Sequence, residues 1–211
     1  MNYRLLTFFV FLIFLSCSKF DSEDELETNS NTFPFYDNLS EVNNFPKMVI
    51  STNNQEIFDE PKINAELKVI EESIELDYKI AIETRGSSSQ MFPKKSYGFE
   101  TRSSDWSADI DVNLGGFPEE EDWILYGPYS DKSLIRNKLT FDLSNSIGYK
   151  ASRVKFYNLF INNDYKGLYV LMEKIKRDEN RVNITKLEGD NVDGGYIIKI
   201  DKPTGDGGGC N

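Results

Sequence analysis

The chain has 211 residues, enough for one sizeable hydrophobic core, and it carries 15 Phe, 11 Tyr and 2 Trp that such a core can bury. Its 24 basic and 35 acidic residues give a net charge of −11, which disfavours nucleic acid as a partner. With no histidine and only two cysteines, the chain excludes Ser-His-Asp and Cys-His catalysis, zinc clusters and a disulfide scaffold. Lysine, arginine, carboxylates, hydroxyls and backbone amides remain, an inventory that suits magnesium and phosphate.

The first 16 residues have the pattern of an export signal. Arg4 is followed by an apolar run from Leu5 to Leu15, which is too short to span a bilayer as a helix. The run ends in Ser16-Cys17, which resembles a bacterial lipobox, where the cysteine is lipidated and becomes the N-terminus. The alternative is an ordinary secretory signal with an incidental cysteine. We expect an exported protein anchored by a lipid on Cys17, in the outer membrane or at the cell surface.

Residues 17–45 predict a flexible acidic tether. The stretch SKFDSEDELETNSNT after Cys17 has five acids, one lysine and few apolar residues. An acidic run in this place also resembles the surface-export signals of Bacteroidetes-type lipoproteins. We therefore place the folded domain at residues 46–211.

Strands are predicted in the first half of this domain. The segment KMVISTNN indicates a first strand and turn, and from Ile74 to Ile82 every second residue is apolar, the pattern of a half-buried strand. Arg85–Gln90 interrupts that strand and Lys95–Thr101 resumes it, so TRGSSSQMFPKKSYGF lies between two strands. After a polar excursion at 105–121, residues 122–130 form another short apolar run.

One principal helix follows, and either Ser130 or Asp131 can cap it. Gly148 supplies its C-terminal stop. Its apolar positions recur every four residues: Ile135, Leu139, Leu143 and Ile147. This periodicity predicts a stripe that packs the helix onto the sheet.

The rest of the chain predicts a hairpin and a last strand. VKFYNLFI and GLYVLME are β-rich and are separated by the turn-forming segment 162–166. Residues 174–187 suggest a short helix leading into a loop, 194–201 a strand, and the glycine-rich tail either a loose terminus or an unfinished domain. The element order predicts an α+β fold, an antiparallel sheet carrying one principal helix.

Four segments, in order, resemble the signature blocks of the spore-coat protein H (CotH) family. They are RGSSSQMFPKKSYGFET, DWILYGPYSDKSLIRNKLTFDLSNSIGY, FYNLFINNDYKGLYVLMEKIKRDENRVNI and GGYIIKID. The family has an atypical protein-kinase-like fold and includes secreted kinases that phosphorylate proteins on serine. The resemblance implies a kinase-like N-lobe, the hinge and the start of a C-lobe.

The resemblance also implies a phosphate site in the first block. A turn on the phosphate side would consist of Arg85, Gly86, Ser87 and Ser88. Lys94 or Lys95 would pair with the nucleotide phosphates, and strand alternation allows only one of the two to face the pocket. Bulky residues on the face of Lys95 slightly favour Lys94, but the choice stays open. The alternative for the whole segment is a solvated turn with two surface lysines.

Each of the other candidate site residues also has an ordinary structural interpretation. Glu173 stands where a kinase hinge would contact adenine through its backbone, or it is a strand-end carboxylate beside Lys174. Arg136 and Asn137 are either exposed or a buried link to the site. A basic face near phosphate, or a solvated run, is formed by Lys176, Arg177 and Arg181.

The resemblance implies ATP with Mg²⁺ or Mn²⁺ as cofactors and a protein as substrate. We assign no metal ligand and no catalytic residue, because the catalytic acids are expected beyond residue 201, where Asp206 is the only remaining acid. We therefore expect an incomplete or inactive portion of a kinase. The competing hypotheses are a non-catalytic binding or structural lipoprotein of the same fold, and carbohydrate handling through Trp106 and Trp123.

Overall fold

A computed structural model of the chain describes residues 45–187, 189 and 194–198. The chain divides into two units, Met1–Glu41 and Val42–Asn211, and every described residue belongs to the second. The predicted signal peptide, Cys17, nearly all of the predicted tether and the glycine-rich tail lie outside the described residues. Within the described residues, no helix is long and apolar enough to cross a membrane.

Seven strands form a closed barrel. They are β1 (Lys47–Ser51), β2 (Ile63–Glu71), β3 (Ile74–Arg85), β4 (Ser96–Arg102), β5 (Asp122–Tyr126), β6 (Val154–Ile161) and β7 (Asp164–Glu173). Around the barrel their order is β1-β2-β3-β4-β5-β7-β6, and β6 pairs again with β1. That closing pair is parallel, with Lys47 opposite Asn158, whereas the other neighbours are antiparallel.

The barrel shows that the predicted fold class was wrong. We predicted an α+β, kinase-like N-lobe in which one helix packs on an antiparallel sheet, but the described protein is mostly β and its sheet closes on itself. The closing pair joins the first strand to β6, far along the chain. Local periodicity reports which face of a strand is buried and not which distant strand it will meet, so the sequence pattern could not reveal this pairing.

The hydrophobic core fills the barrel because alternate residues of each strand point inward. Ile80 and Ile82 on β3 are fully buried, as the period-two pattern predicts, whereas Ile74 and Leu76 near the β2–β3 turn are exposed. Trp123 is only 1 % exposed and belongs to the core, so it offers no platform for a sugar. Other large side chains that fill the barrel are Met48, Leu67, Phe99, Tyr157 and Tyr169.

The helix α1 (Arg136–Ser146) lies against the barrel with none of its residues fully buried. The four stripe positions, Ile135, Leu139, Leu143 and Ile147, are between 50 % and 63 % exposed. The prediction that this stripe packs on the sheet is therefore wrong. The partly buried side of the helix includes Phe141 and Ser144 instead.

The residues predicted to cap and to end α1 agree with the structure better than its apolar stripe does. Asp131 is buried, and its carboxylate accepts hydrogen bonds from the Ser133 N–H at 3.0 Å and the Arg136 N–H at 2.9 Å. This carboxylate therefore satisfies a free amide of the first turn, although the helix begins five residues later. At the other end Gly148 has φ +89°, which a glycine adopts without strain.

The predicted hairpin is confirmed, but two other elements are not. Asn162 and Asn163 have φ of 51° and 67° and join β6 to β7 in the tight turn that their side chains favour. Residues 174–187 form no helix and contribute a single bridge between Arg177 and Val182. Residues 194–198 have no strand.

Candidate functional site

At one end of the barrel the β3–β4 loop meets the loop segment Gly127–Tyr129 and residues Gly167–Tyr169 of strand β7. We call this region the lysine end. The Tyr169 hydroxyl donates to the Lys95 carbonyl at 2.8 Å. The Gly127 N–H donates to the Ser96 Oγ at 3.0 Å, and the rings of Phe92 and Tyr129 stack with centroids 4.8 Å apart. The β3–β4 loop is therefore held by contacts from the loop after β5 and from strand β7.

Lys94 is the cation at the centre of the lysine end. Its Nζ donates to the Leu168 carbonyl at 2.7 Å and lies 4.8 Å from the centroid of the Tyr169 ring. In the described part of the chain it forms no ion pair with a carboxylate, and burial lowers its pKa from 10.5. A half-buried ammonium of this kind can offer its remaining donors and its charge to an anion.

Two glycines give this lysine its surroundings. A Cβ on Gly167 would lie 3.3 Å from the Lys94 Nζ, so glycine keeps that approach open. A Cβ on Gly127 would lie 2.6 Å from the Lys95 carbonyl oxygen, a distance that the backbone does not tolerate. Both positions are in the predicted family blocks, but nothing in the sequence pattern singles them out.

The side chain of Lys95 makes contacts within the β3–β4 loop instead. Its Nζ donates to the Gln90 carbonyl, and its own carbonyl accepts from Tyr169, so this residue ties the loop together. The sequence left Lys94 and Lys95 as alternatives for contact with phosphate. The geometry favours Lys94, because its ammonium bonds to β7 across the loop rather than to the loop itself.

The Gly-Ser turn next to the lysines folds tightly on itself. Gly86 has φ +123°, and a Cβ there would lie 2.1 Å from the Ser89 Oγ, which explains the glycine. Its carbonyl accepts from the Gln90 Nε2 at 2.7 Å, and a short 3₁₀ turn follows at Ser88–Met91. Arg85, at the end of β3, and the predicted turn residues Gly86, Ser87 and Ser88 are all exposed beside this turn.

Glu173 lies away from these residues, at the C-terminal end of β7. It follows Leu168 by five positions, which is roughly 17 Å along an extended strand. The carboxylate is 3 % exposed and accepts from the Arg153 N–H at 2.9 Å and the Arg153 Nη2 at 2.5 Å. Lys174, the alternative partner, binds Asp122 at 2.7 Å. The Glu173 side chain is thus engaged in an ion pair that joins β7 to the chain before β6.

The described residues contain one carboxylate cluster with metal-ligand spacing: Asp111, Glu120 and Glu121 offer oxygens that lie within 4.8 Å of one another. An ammonium already bridges it, because the Lys176 Nζ donates to Glu120 at 2.6 Å and Glu121 at 2.7 Å. Burial opposes the charge on Lys176, but these hydrogen bonds outweigh it and raise its pKa. The cluster stands at the start of β5, whereas Gly127 follows its end. It therefore does not fit a metal that must reach phosphates at Lys94.

The other basic residues that the sequence singled out are also accounted for. Arg181 is almost completely buried, with its Nε 3.4 Å from Glu120 Oε2 and its guanidinium 5.0 Å from the Trp123 ring. Together with Lys176 it belongs to the acidic end of β5 and not to the lysine end. The Arg136 side chain is exposed beside Asp131.

Comparison with known proteins adds the family. A sequence model of the CotH kinase protein family matches residues 82–208, more than half of the chain and the whole of the lysine end. The chain belongs to the CotH family. It is 26 % identical over 150 residues to the inner spore coat protein H of Bacillus subtilis (strain 168). The match covers 70 % of this chain and 35 % of that protein, so this CotH chain spans about a third of the length of the curated relative.

Proposed function

We propose that this CotH-family chain supplies the phosphate-binding part of an exported protein kinase that transfers the γ-phosphoryl group of ATP to protein hydroxyls. The observation that supports the proposal is Lys94, a half-buried cation without a carboxylate partner in the described residues, held between the β3–β4 loop and strand β7. The family description as a kinase protein agrees with a nucleotide as the ligand.

The electrostatics of the chain make such a lysine informative. With a net charge of −11, the protein repels anions over most of its surface, so an anionic ligand needs a local cation. The lysines of the β5 cluster and of the β2–β3 face are neutralised by carboxylates, as Lys176 and Lys68 illustrate. Lys94 instead has no carboxylate counter-charge among the described residues, and a phosphate oxygen would supply one.

The reaction places definite demands on the site. The hydroxyl oxygen of the substrate forms a bond to the γ-phosphorus while the bond to the β,γ-bridging oxygen breaks, ADP leaves, and the hydroxyl proton passes to a base. Lys94 would hold phosphate oxygens and stabilise the charge that builds up on them. The Gly-Ser turn would limit access of water from its side of the lysine.

A bound Mg²⁺ or Mn²⁺ would neutralise phosphate charge, but its ligands are not among the residues that the structure describes near Lys94. The Asp111, Glu120 and Glu121 cluster is bridged by Lys176 and stands at the far end of β5. We therefore assign to these described residues the phosphate contact alone, and neither the catalytic base nor the metal. We also propose that a lipid on Cys17 anchors the protein at the outer membrane or the cell surface. Its substrate would be another protein.

The bridged carboxylate cluster also favours a second candidate, a non-catalytic surface lipoprotein that uses the family fold in a binding or structural role. In that case Lys94 is only a tie between the β3–β4 loop and β7. The two candidates differ in whether ATP binds.

The test is calorimetric titration of the full chain with ATP in the presence of MgCl₂ or MnCl₂. Lys94→Ala should weaken binding by tenfold or more, whereas Lys132→Ala, which removes the same charge from an exposed position, should change it less than twofold. Lys95→Ala should act mainly by loosening the β3–β4 loop, so its loss of ATP binding should lie between those of the other two variants. Absence of ATP binding by the unaltered chain, or equal losses in Lys94→Ala and Lys132→Ala, would refute the phosphate site.

A further inference from the structure

A groove of about 620 Å³ lies on the outer face of strands β1 to β4, and its volume is within the range of about 300–1,000 Å³ that small-ligand sites occupy. The charged side chains that line it are Glu66 and Lys68 on β2, Asp77 and Lys79 on β3, and Arg102 on β4. Lys79 precedes Arg85, where β3 ends at the β3–β4 loop, by six positions, roughly 20 Å along an extended strand. We call this the outer groove, and it is separate from the lysine end.

Trp106 lies beside the outer groove in a backbone conformation that a bulky side chain disfavours. Its φ is +59°, in the left-handed region. The turn is fixed by the Asp105 carboxylate, which accepts from the Ser103 and Ser107 hydroxyls at 2.6 Å and 2.7 Å. Strain of this kind persists where the surrounding structure imposes it. Here it places the indole against a residue that lines the groove, since the Lys79 Nζ is 4.3 Å from the centroid of the ring.

Two buried N–H groups at this place find no hydrogen-bond acceptor among the described residues. They are the Arg102 Nε and the Trp106 Nε1. The rest of the guanidinium is engaged, because the Arg102 Nη2 donates to Glu100 at 2.7 Å and the Nη1 lies 2.9 Å from Asp109. A buried donor without an acceptor costs free energy, so a ligand oxygen that accepts from these groups would be bound favourably.

The charges that line the outer groove are matched by partners within the described residues. Lys79 pairs with Glu66, and the Lys68 Nζ is 3.2 Å from Asp77. This pairing favours a neutral ligand over an ionic one. Donors and acceptors stand side by side in the groove, a pattern that suits hydroxyl groups, because each hydroxyl both donates and accepts. Val49 and Ile110 add apolar surface for the C–H face of a sugar ring.

We propose that the outer groove binds a neutral oligosaccharide, with Trp106 and Arg102 as its recognition residues. The indole Nε1 and the guanidinium Nε would donate to sugar oxygens, and the carboxylates of Glu66 and Asp77 would accept from sugar hydroxyls. An extended peptide fits less well, because β1, β2 and β3 each pair with a neighbour on both sides in the closed barrel and leave no edge for an added strand. The inference is independent of ATP binding at Lys94.

An array of neutral and acidic oligosaccharides, with unglycosylated peptides as additional spots, tests the proposal when it is probed with the full chain. The chain should bind at least one class of neutral glycan. The signal should be the same at low and high salt, because a neutral ligand carries no charge for the salt to screen. The neutral glycan that gives the strongest signal then serves as the probe in calorimetric titration.

Variants at the two recognition residues locate the binding in the outer groove. Trp106→Ala should weaken binding at least tenfold, because it removes both the ring and the donor. Trp106→Phe keeps a ring and Arg102→Lys keeps the charge, but each loses one donor and should weaken binding roughly fivefold. Tyr149→Ala is the matched control, since Tyr149 is an aromatic residue that is 71 % exposed and lies outside the groove. It should leave the affinity unchanged.

Thermal unfolding followed by circular dichroism checks that all four variants are folded. The proposal would be overturned if no neutral glycan bound, if binding were confined to acidic glycans or peptides, or if the signal were lost at high salt. It would equally be overturned if a folded Trp106→Ala or Trp106→Phe chain kept the affinity of the unaltered chain.

Discussion

Replacing Glu173 by alanine tests whether that residue belongs to the framework or to the nucleotide site. Its carboxylate is almost fully buried and receives two hydrogen bonds from Arg153. Removing one partner of a buried ion pair costs about 3–5 kcal/mol, because the other charge is left behind. The Arg153 side chain is 35 % exposed, so water recovers part of this loss and we expect about 2–4 kcal/mol. For a chain of this size that lowers Tm by roughly 6–12 °C.

The assay is thermal unfolding of the full chain followed by circular dichroism, together with ATP titration at a temperature where both proteins are folded. Glu75→Ala is the control, since it removes a carboxylate from the exposed pair with Lys68 and should change Tm little. If Glu173→Ala moves Tm no more than Glu75→Ala does, or if it abolishes ATP binding with Tm unchanged, the structural assignment is wrong.

Three further predictions concern the lysine end and α1. Gly127→Ala should destabilise the protein by about 1–3 kcal/mol in urea unfolding and weaken ATP binding, because its Cβ would meet the Lys95 carbonyl at 2.6 Å. Burial lowers the Lys94 pKa, so the unfolded chain binds more protons than the folded chain as the pH approaches 10.5. The free energy of unfolding that this group contributes therefore rises with pH in that range. Lys94→Met should remove that rise, relative to the unaltered chain, in urea unfolding between about pH 8 and 10.5. Hydrogen bonds from Ser133 and the Arg136 N–H lower the Asp131 pKa. The stabilisation that the Asp131 carboxylate contributes is therefore present above pH 3.8 and is lost as the pH falls through the lower folded pKa. Asp131→Ala should reduce the helical circular dichroism signal at neutral pH and make that signal less sensitive to acid.

The local elements could be predicted because each has a local cause. The alternation from Ile74 to Ile82 gave β3, and Asn162-Asn163 gave the turn of the hairpin, since both signals lie within a few residues. Barrel closure has no such signal, because the pairing of Lys47 with Asn158 depends on contacts between remote segments. The same limit explains α1, whose period of four identifies a helix but does not identify what covers its stripe.

The candidate site shows the same division. The sequence, through its family blocks, indicated the Gly-Ser turn and the two lysines, but it could not choose between them. That choice depends on Leu168 and Tyr169, which come from a different block and approach Lys94 and Lys95 only in the folded barrel. The side chain of Glu173 shows the same limit. Its position at a strand end led us to predict a hinge contact through the backbone, and only the structure shows the bonds of its carboxylate to Arg153.

The parallel pair between β1 and β6 also constrains the order of assembly. One edge of β1 pairs with β2 nearby, but its other edge has to wait for residues 158–161, which are made much later. Until then β1 exposes unpaired backbone groups along that edge, a state that favours aggregation or strand exchange. Contacts of such long range also slow folding. The barrel therefore cannot close before β6 has emerged from the ribosome.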